Sequence, residues 1–389
     1  MLDMRGRVTH QPNLFVNIHL ESLVPQNHPL RPIKKMADEA LAAMSRTFAA
    51  CYSQTGRPSV PPERLVKAVM LMTLYTIRSE RQLCERICFD MLFRWFLDMT
   101  PDEVVFDHSD FSKNRDRLDR LDATGKFSDK IIEMAYEAGL ISEEHFSLDG
   151  SLIQSLASLK SLKHKDALRA AAKERQDKDK NDKGGGHSDS NKWVDFKGEK
   201  RRNATHRSAT DPQARLYTKN KGVAYLQHSM HVLMENRNGL AVGITIGAAN
   251  GYAERRSGLR LIRRVRKRFR LRPRTLGVDK GYDCGKFLAA LSELGVKPHA
   301  ASKAKKLLAT PDPEDSERWE RWVNQNRQGD KGYQTSQRKR KLVEEVFGWL
   351  KTVGNMRRAR VVGRWKIQQF ADLALATLNM VRMSKLIGA

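Results

Sequence analysis

Little in this sequence suggests a disulfide-stapled, zinc-organised or membrane-spanning protein. Its four cysteines, Cys51, Cys84, Cys88 and Cys284, are too few and too scattered for a disulfide framework or a zinc ribbon. Cys84 and Cys88 stand one helical turn apart, but no neighbouring Cys or His completes a tetrahedral set, so reduced core thiols are expected. No apolar run approaches the roughly 20 residues that cross a bilayer, and the N-terminus lacks a signal-peptide pattern. These absences lead us to expect a cytoplasmic chain with no membrane partner. The pattern GxxxxGK[ST] does not occur, so no nucleotide cofactor is expected, and no internal repeat is apparent. Acidic residues are in deficit: 45 Asp and Glu face 71 Lys and Arg, a formal charge of +26. A field of that size attracts polyanions, which makes nucleic acid the leading partner and nucleoid association the expected setting. The 389 residues, 40% of them hydrophobic, suffice for a substantial core in two or three domains.

What is present changes texture along the chain. After an irregular opening to about residue 60, Pro61-Pro62 introduces Leu65, Val66, Val69, Met70, Met72 and Leu74 at helical spacing. Ser79-Glu80-Arg81-Gln82 has the form of a capping box ahead of a second helix. An aromatic helix from Phe89 to Met99, the stretch HSDFSKNRDRLDRL, and DKIIEMAYEAGL, capped by Ser128 and closed by Gly139, continue the pattern. Residues 1–140 are therefore expected to form an all-α N-terminal domain that grips DNA or makes a dimer contact. The first strand signal is HFSLDGSLI, with a break at Asp149-Gly150. From about 160 to 220 the composition is polar and basic, and DKDKNDKGGGHSDS at its centre cannot bury enough apolar surface to fold alone. A mobile, partly disordered insertion is expected there. HSMHVLM and GLAVGITIG read as two strands, joined by a tight hairpin in which Asn238-Gly239 supplies positive backbone dihedrals. A helix at 251–272, the buried strand TLGVD, the helix GKFLAALSELG and the strand VKPHAA follow. A crossover of this shape implies a parallel pair. A polar stretch with Trp319 and Trp322 leads to the helix RKRKLVEEVFGWLK, and residues 366–387 give a closing amphipathic helix. Residues 141–389 thus read as an α/β domain, a mixed sheet flanked by helices.

Three acids in this second domain have surroundings suited to phosphodiester chemistry. Two magnesium ions about 4 Å apart can make one oxygen reactive and a leaving 3′ oxygen stable. Magnesium takes a few carboxylates from different elements and keeps several waters. Asp149 lies in the first strand before Gly150, where a turn Asp is the plain alternative. Asp279 ends TLGVD at the carboxyl edge where open α/β sheets place ligands, with Lys280 beside it. Asp283 could substitute, but capping the following helix is its simpler role. At about 100° per residue, Arg340 is rotated about 40° and Lys351 about 20° from Glu344, so the three share one helix face. An ordinary solvated charge face has the same spacing. Glu345 projects about 100° away and is the weaker candidate.

SLDGSLIQSLASLKS, LGVDKGYD and RKRKLVEEVFGWLK, in that order, resemble the three catalytic segments of bacterial insertion-sequence transposases of the DDE class, in the group named after insertion sequence five. PPERLVKAVMLMTLYTIRSERQLCERI with HSDFSKNRDRL, and HRSATDPQARLYTKNKG through HVLMENRNGL, match the same group, so the resemblance covers roughly residues 10–385. It implies an RNase H-like catalytic domain and a helical DNA-binding domain. It further implies that Asp149, Asp279 and Glu344 are both catalytic residues and metal ligands for two Mg²⁺, with Mn²⁺ able to substitute. Related transposases often carry Tyr, Arg, Glu and Lys on the Glu helix. Here Arg340, Glu344 and Lys351 occupy the last three places and Gln337 stands where the Tyr would be. The implied reaction frees a 3′ hydroxyl at a transposon end, which then attacks target DNA in line, without a covalent enzyme intermediate or ATP. Its implied partners are double-stranded DNA, as terminal inverted repeats and target, and a second copy of the chain.

The DNA-facing surface is expected at ERRSGLRLIRRVRKRFRLRPR, where eleven Arg and Lys stand against Glu254 alone. Arg263, Arg264, Arg266, Lys267 and Arg268 are its central phosphate-binding candidates, together with Lys280, Arg340 and Lys351 at the carboxylates. MRRARVVGRWK at 356–366 adds basic groups, and Lys200, Arg201, Arg202, His206 and Arg207 form a candidate clamp. Trp319, Trp322, Trp349 and Trp365 suit either base stacking or the core. Two rival readings keep the charge and change the task. One is a structure-selective nuclease with the same triad that never joins strands; the other is a catalytically silent DNA-binding protein.

Overall fold

The computed structural model describes residues 19–50, 59–178, 201–218, 223–251, 253–303 and 308–388. The N-terminal region is all helical: α1 (Leu20–Leu23), α2 (Leu30–Ala43), α3 (Ser45–Ala49), α4 (Pro62–Leu74), α5 (Glu80–Phe89), α6 (Met91–Phe96), α7 (His108–Arg120) and α8 (Ala123–Glu137). Its starts follow local chemistry. Pro62 opens α4 at a position where no backbone donor is missed. Ser79, Asp90 and Asp107 each accept a backbone N–H from the first turn of the helix they precede. Ser128 does not cap a helix as expected. It is buried inside α8, which starts earlier, because Ala123 and Phe127 extend the apolar stripe backwards over Asp122 in a left-handed conformation. Gly139, at φ 69°, ends the helix, with the Leu140 N–H reaching back to the Ala135 carbonyl at 2.9 Å.

The remainder runs β1 (His145–Gln154), β2 (Leu162–His164), α9 (Lys165–Lys178), β3 (His206–Ser208), β4 (Arg215–Tyr217), β5 (Tyr225–Glu235), β6 (Ala241–Ala248), α10 (Ala253–Phe269), β7 (Thr275–Val278), α11 (Gly285–Glu293), β8 (Lys297–Ala300), α12 (Ser316–Asn326), α13 (Lys331–Lys339), α14 (Val343–Thr352) and α15 (Arg364–Ile387). The central sheet has the order β4-β5-β1-β7-β8, with β6 also on β5. β1 is antiparallel to β5 and parallel to β7, and β7 is parallel to β8. This mixed sheet with helices on both sides is the RNase H-like architecture.

Alternation along β1 sorts the two faces. Leu148 packs toward α10, where a Cβ on Gly258 would meet its side chain, in a core shared with Leu261, Ile262 and Val265. Ile153 points to the opposite face, in a second core with Val343, Val346, Phe347 and Leu350 of α14. The first of these cores also takes in residues of α2, α4, α8 and α15, so the helical region and the sheet pack as one body.

Several expectations are corrected here. β1 passes through Asp149-Gly150 without a break, paired to Val232 and His231 of β5. In the β5–β6 hairpin loop only Gly239 has positive φ, not Asn238, which is held by Glu235 and by the Leu140 carbonyl. The ends of the expected mobile insertion carry regular structure. β2 pairs with β3, α9 follows β2, and Asp211 is fully buried, accepting from Ser155 and paired with His228. The Gly-rich centre, with Lys200, lies outside the described residues. The stretch around Trp319 and Trp322 is helical, with the two rings 5.2 Å apart. Cys84 is half-buried and Cys88 exposed, so Cys88 is not a core thiol.

Candidate active site

β1 and β7 bring two of the candidate acids together. Their parallel ladder pairs Ser147 with Gly277, and the same register carried two residues on sets Asp149 level with Asp279. Both are half-buried. Asp279 leaves β7 in extended backbone and accepts the Gly281 N–H at 2.8 Å in the following 3-10 turn. Asp149 accepts the N–H of Gly150 at 2.7 Å.

The third acid arrives from the helix on the same face. A Cβ on Gly277 would lie 3.6 Å from Arg340 Cβ, and Lys351 Nζ donates to Ser151 Oγ at 2.6 Å. Gly277 and Ser151 each stand two residues from an acid, on its side of the sheet. The segment between these anchors crosses from β7 to β1, and Glu344 is exposed upon it. This segment is not one uniform helix: Arg340 to Leu342 form a 3-10 turn between α13 and α14. Glu345 is turned aside into an ion pair with Arg382 at 3.2 Å. Among the described residues, no three His, Cys, Asp or Glu side chains are gathered as a ready metal cage.

Gln337, at the place where the resemblance would put a Tyr, is held by three hydrogen bonds. Its amide nitrogen donates to the carbonyls of Val278 and His299, and its oxygen accepts from Arg340 Nε at 3.2 Å. It therefore ties the ends of β7 and β8 to the guanidinium that precedes Glu344. Asp283 does not cap α11. It is buried, accepting the Lys303 N–H at 2.7 Å and pairing with Arg321.

Glu254, in the sequence only the lone acid of a basic segment, lies close to this site. A Cβ on Gly150 would stand 3.6 Å from Glu254 Oε1 and 2.8 Å from His231 Nδ1. Tyr282 is buried and its hydroxyl has no partner among the described residues. Burial, and then the charges of Glu254, Asp149 and Asp279, push its phenol well above the ordinary range. Glu254 thus belongs to the same electrostatic neighbourhood. Its signal in the sequence was its isolation, as the single acid in the first turn of a cationic helix.

The basic helix α10 lies on the sheet face away from α14. Arg264 and Arg268 pair with Asp129 of α8. Burial pushes that carboxyl up to about 6, against the pull of both arginines. Arg263, Arg266 and Lys267 make no ion pair among the described residues, and Lys280 is exposed beside Asp279.

The fold is thus an RNase H-like mixed sheet whose central parallel strands carry the candidate acids Asp149 and Asp279, with the helix that bears Glu344 on the same side. The family comparisons narrow this. Residues 18–117 match a transposase domain (DUF772), and residues 193–380 match the transposase DDE domain. The chain belongs to the DDE-type transposases. No curated protein and no solved structure matches it. Among the described residues, no helix is long and apolar enough to cross a membrane.

Proposed function

We propose that the chain binds the terminal inverted repeats of an insertion sequence, cuts at their ends and joins the freed 3′ hydroxyls to target DNA, with Asp149, Asp279 and Glu344 as its catalytic carboxylates. The observation that carries this reading is the register that sets Asp149 beside Asp279, on the face across which Glu344 is strung between Arg340 and Lys351. The donors are all carboxylate oxygens, the hard ligands that suit Mg²⁺ or Mn²⁺. The chemistry supplied by two such ions when bound is Lewis acidity at the attacking and leaving oxygens.

The chain's own residues do the rest. Asp149 and Asp279 bring two negative charges to the edge of one parallel pair, where they compensate bound cations and would repel DNA without them. Glu344 is exposed on its helix and would supply the third carboxylate. Arg340 and Lys351 flank it as phosphate holders, and Lys280 extends the cationic rim. Synapsis of two ends calls for two copies of the chain on DNA.

The test uses Asp149→Asn, Asp279→Asn and Glu344→Gln. Each should abolish cleavage of an end-bearing plasmid with Mg²⁺ or Mn²⁺, and each should weaken the thermal stabilisation by Mn²⁺ expected of wild type. Nicking that survives Asp149→Asn would remove this assignment. A pre-cut end offered with a target plasmid separates transposase from nuclease, since only the former makes joined products.

A further inference from the structure

A groove of about 680 Å³ opens beside the carboxylate face, where the α4–α5 connection meets the chain between α14 and α15. Its lining carries five cations, Arg78, Lys351, Arg357, Arg358 and Arg360, and no carboxylate. They come from two segments nearly 300 residues apart, held together by Arg360 Nη1 donating to the Ile77 carbonyl at 2.9 Å. Burial, and then the charge of Arg78, hold the Arg360 guanidinium below its usual range. The side chains of Arg78 and Arg357 are exposed and make no hydrogen bond or ion pair among the described residues. A fold that collects like charges without an internal counter-ion leaves them to be neutralised by an anion from outside.

The floor of the groove is an extension of the strand that carries Asp149. The Gln154 N–H donates to the Arg357 carbonyl at 3.1 Å, and the Ala359 N–H donates to the Gln154 carbonyl at 2.7 Å. Arg358 Nη2 adds a bond to the Leu156 carbonyl at 3.0 Å. From Asp149 to Gln154 is five residues of β-strand, about 17 Å, which equals the rise of about five nucleotides in duplex DNA. Lys351 belongs to both places, lining the groove and bonding Ser151. Cations spread along such a path suit a chain of phosphates better than one small anion.

We propose that this groove holds the sugar-phosphate backbone of the DNA strand leading into the carboxylate site, with Arg78 and Arg357 gripping phosphates about five nucleotides from the bond to be cut. The proposal rests on the function proposed above and adds where the strand runs. It also makes the helical N-terminal region a part of the strand's track through Arg78.

Fluorescence anisotropy with a 30-base-pair duplex, titrated at several salt concentrations, tests it on the full chain. Arg78→Ala with Arg357→Ala removes two unpaired exposed side chains. It should weaken binding about ten-fold or more and lower the slope of log K against log salt by about 2, with the thermal midpoint unchanged. Arg263→Ala with Lys267→Ala, on the far side of the sheet, is the comparison pair. Unchanged affinity and slope in the first pair would overturn the groove, as would the same loss in the comparison pair alone. Tighter binding of an RNA of equal length would overturn the assignment to DNA. Failure of the wild-type chain to bind any duplex would instead bring down the underlying function.

Discussion

Asp372 sits in α15 with 3% of its surface exposed, and replacing it by Asn should stabilise the protein in a strongly pH-dependent way. Burial is the dominant influence and pushes its carboxyl up to about 7. The nearby Arg264 and the Gln368 amide, which donates to Oδ1 at 2.9 Å, pull the other way, while Asp122 and Asp129 add to the rise. In the unfolded chain the group titrates near 3.8. Folding therefore takes up a proton between these two values. Stability from this group is fully present below about pH 4 and is lost as pH rises through 7. Each pKa unit corresponds to about 1.4 kcal/mol, so a shift of roughly three units sets a ceiling of about 4 kcal/mol on the penalty above pH 7. Asp372→Asn keeps the shape and the oxygen that receives Gln368, and adds two donors among neighbouring acids. Urea denaturation at constant ionic strength from pH 4 to 8 measures the outcome. The variant should lead wild type by up to about 4 kcal/mol at pH 8, the gap closing by about 1.4 kcal/mol per unit below pH 7 and vanishing near pH 4. A difference that stays constant across this range would refute the reasoning, because it would mean that Asp372 carries the same protonation in both states.

Other consequences of the packing can be measured alongside it. Gly277→Ala would set a Cβ 2.9 Å from Ser336 Oγ and 3.2 Å from its carbonyl oxygen. It should cost about 1–3 kcal/mol and, by moving the segment that bears Arg340 and Glu344, reduce cleavage at temperatures where the variant remains folded. Full activity would show that the spacing of α13 from β7 does not set the site. Ser151→Ala withdraws the acceptor of Lys351. Its stability change should lie within about 1.5 kcal/mol, while strand transfer falls several-fold; equal rates for the two proteins would detach Lys351 from the reaction. Ser79→Ala removes the cap of α5, which accepts the Gln82 N–H at 3.1 Å, and should lower stability by about 1 kcal/mol with catalysis untouched.

Much of this molecule was written locally. The charge of +26 pointed to a polyanion as partner, and the segments around Asp149, Asp279 and Glu344 carried the family resemblance that made these acids the candidates. Apolar periodicity found most of the elements. Long-range packing decided the rest. Nothing near Ser128 reveals that Ala123 and Phe127 have a core to enter, so the true start of α8 could not be read from its neighbours. Asp283 was taken for a cap because its partners, Lys303 and Arg321, stand 20 and 38 residues away. That Arg264 and Arg268 pair with Asp129 of another helix could not be read from their own segment.

Composition, pattern and local capping thus determined what kinds of pieces form and which side chains stand as candidates for the chemistry, since those depend on a few adjacent residues. Only the tertiary structure decided which pieces meet. The parallel register of β1 with β7 spans an offset of 130 residues, Glu254 approaches Gly150 across the top of the sheet, and Arg78 joins Arg357 in one groove. Such meetings depend on how two faces of a sheet are covered, a property of the whole fold that no single segment contains.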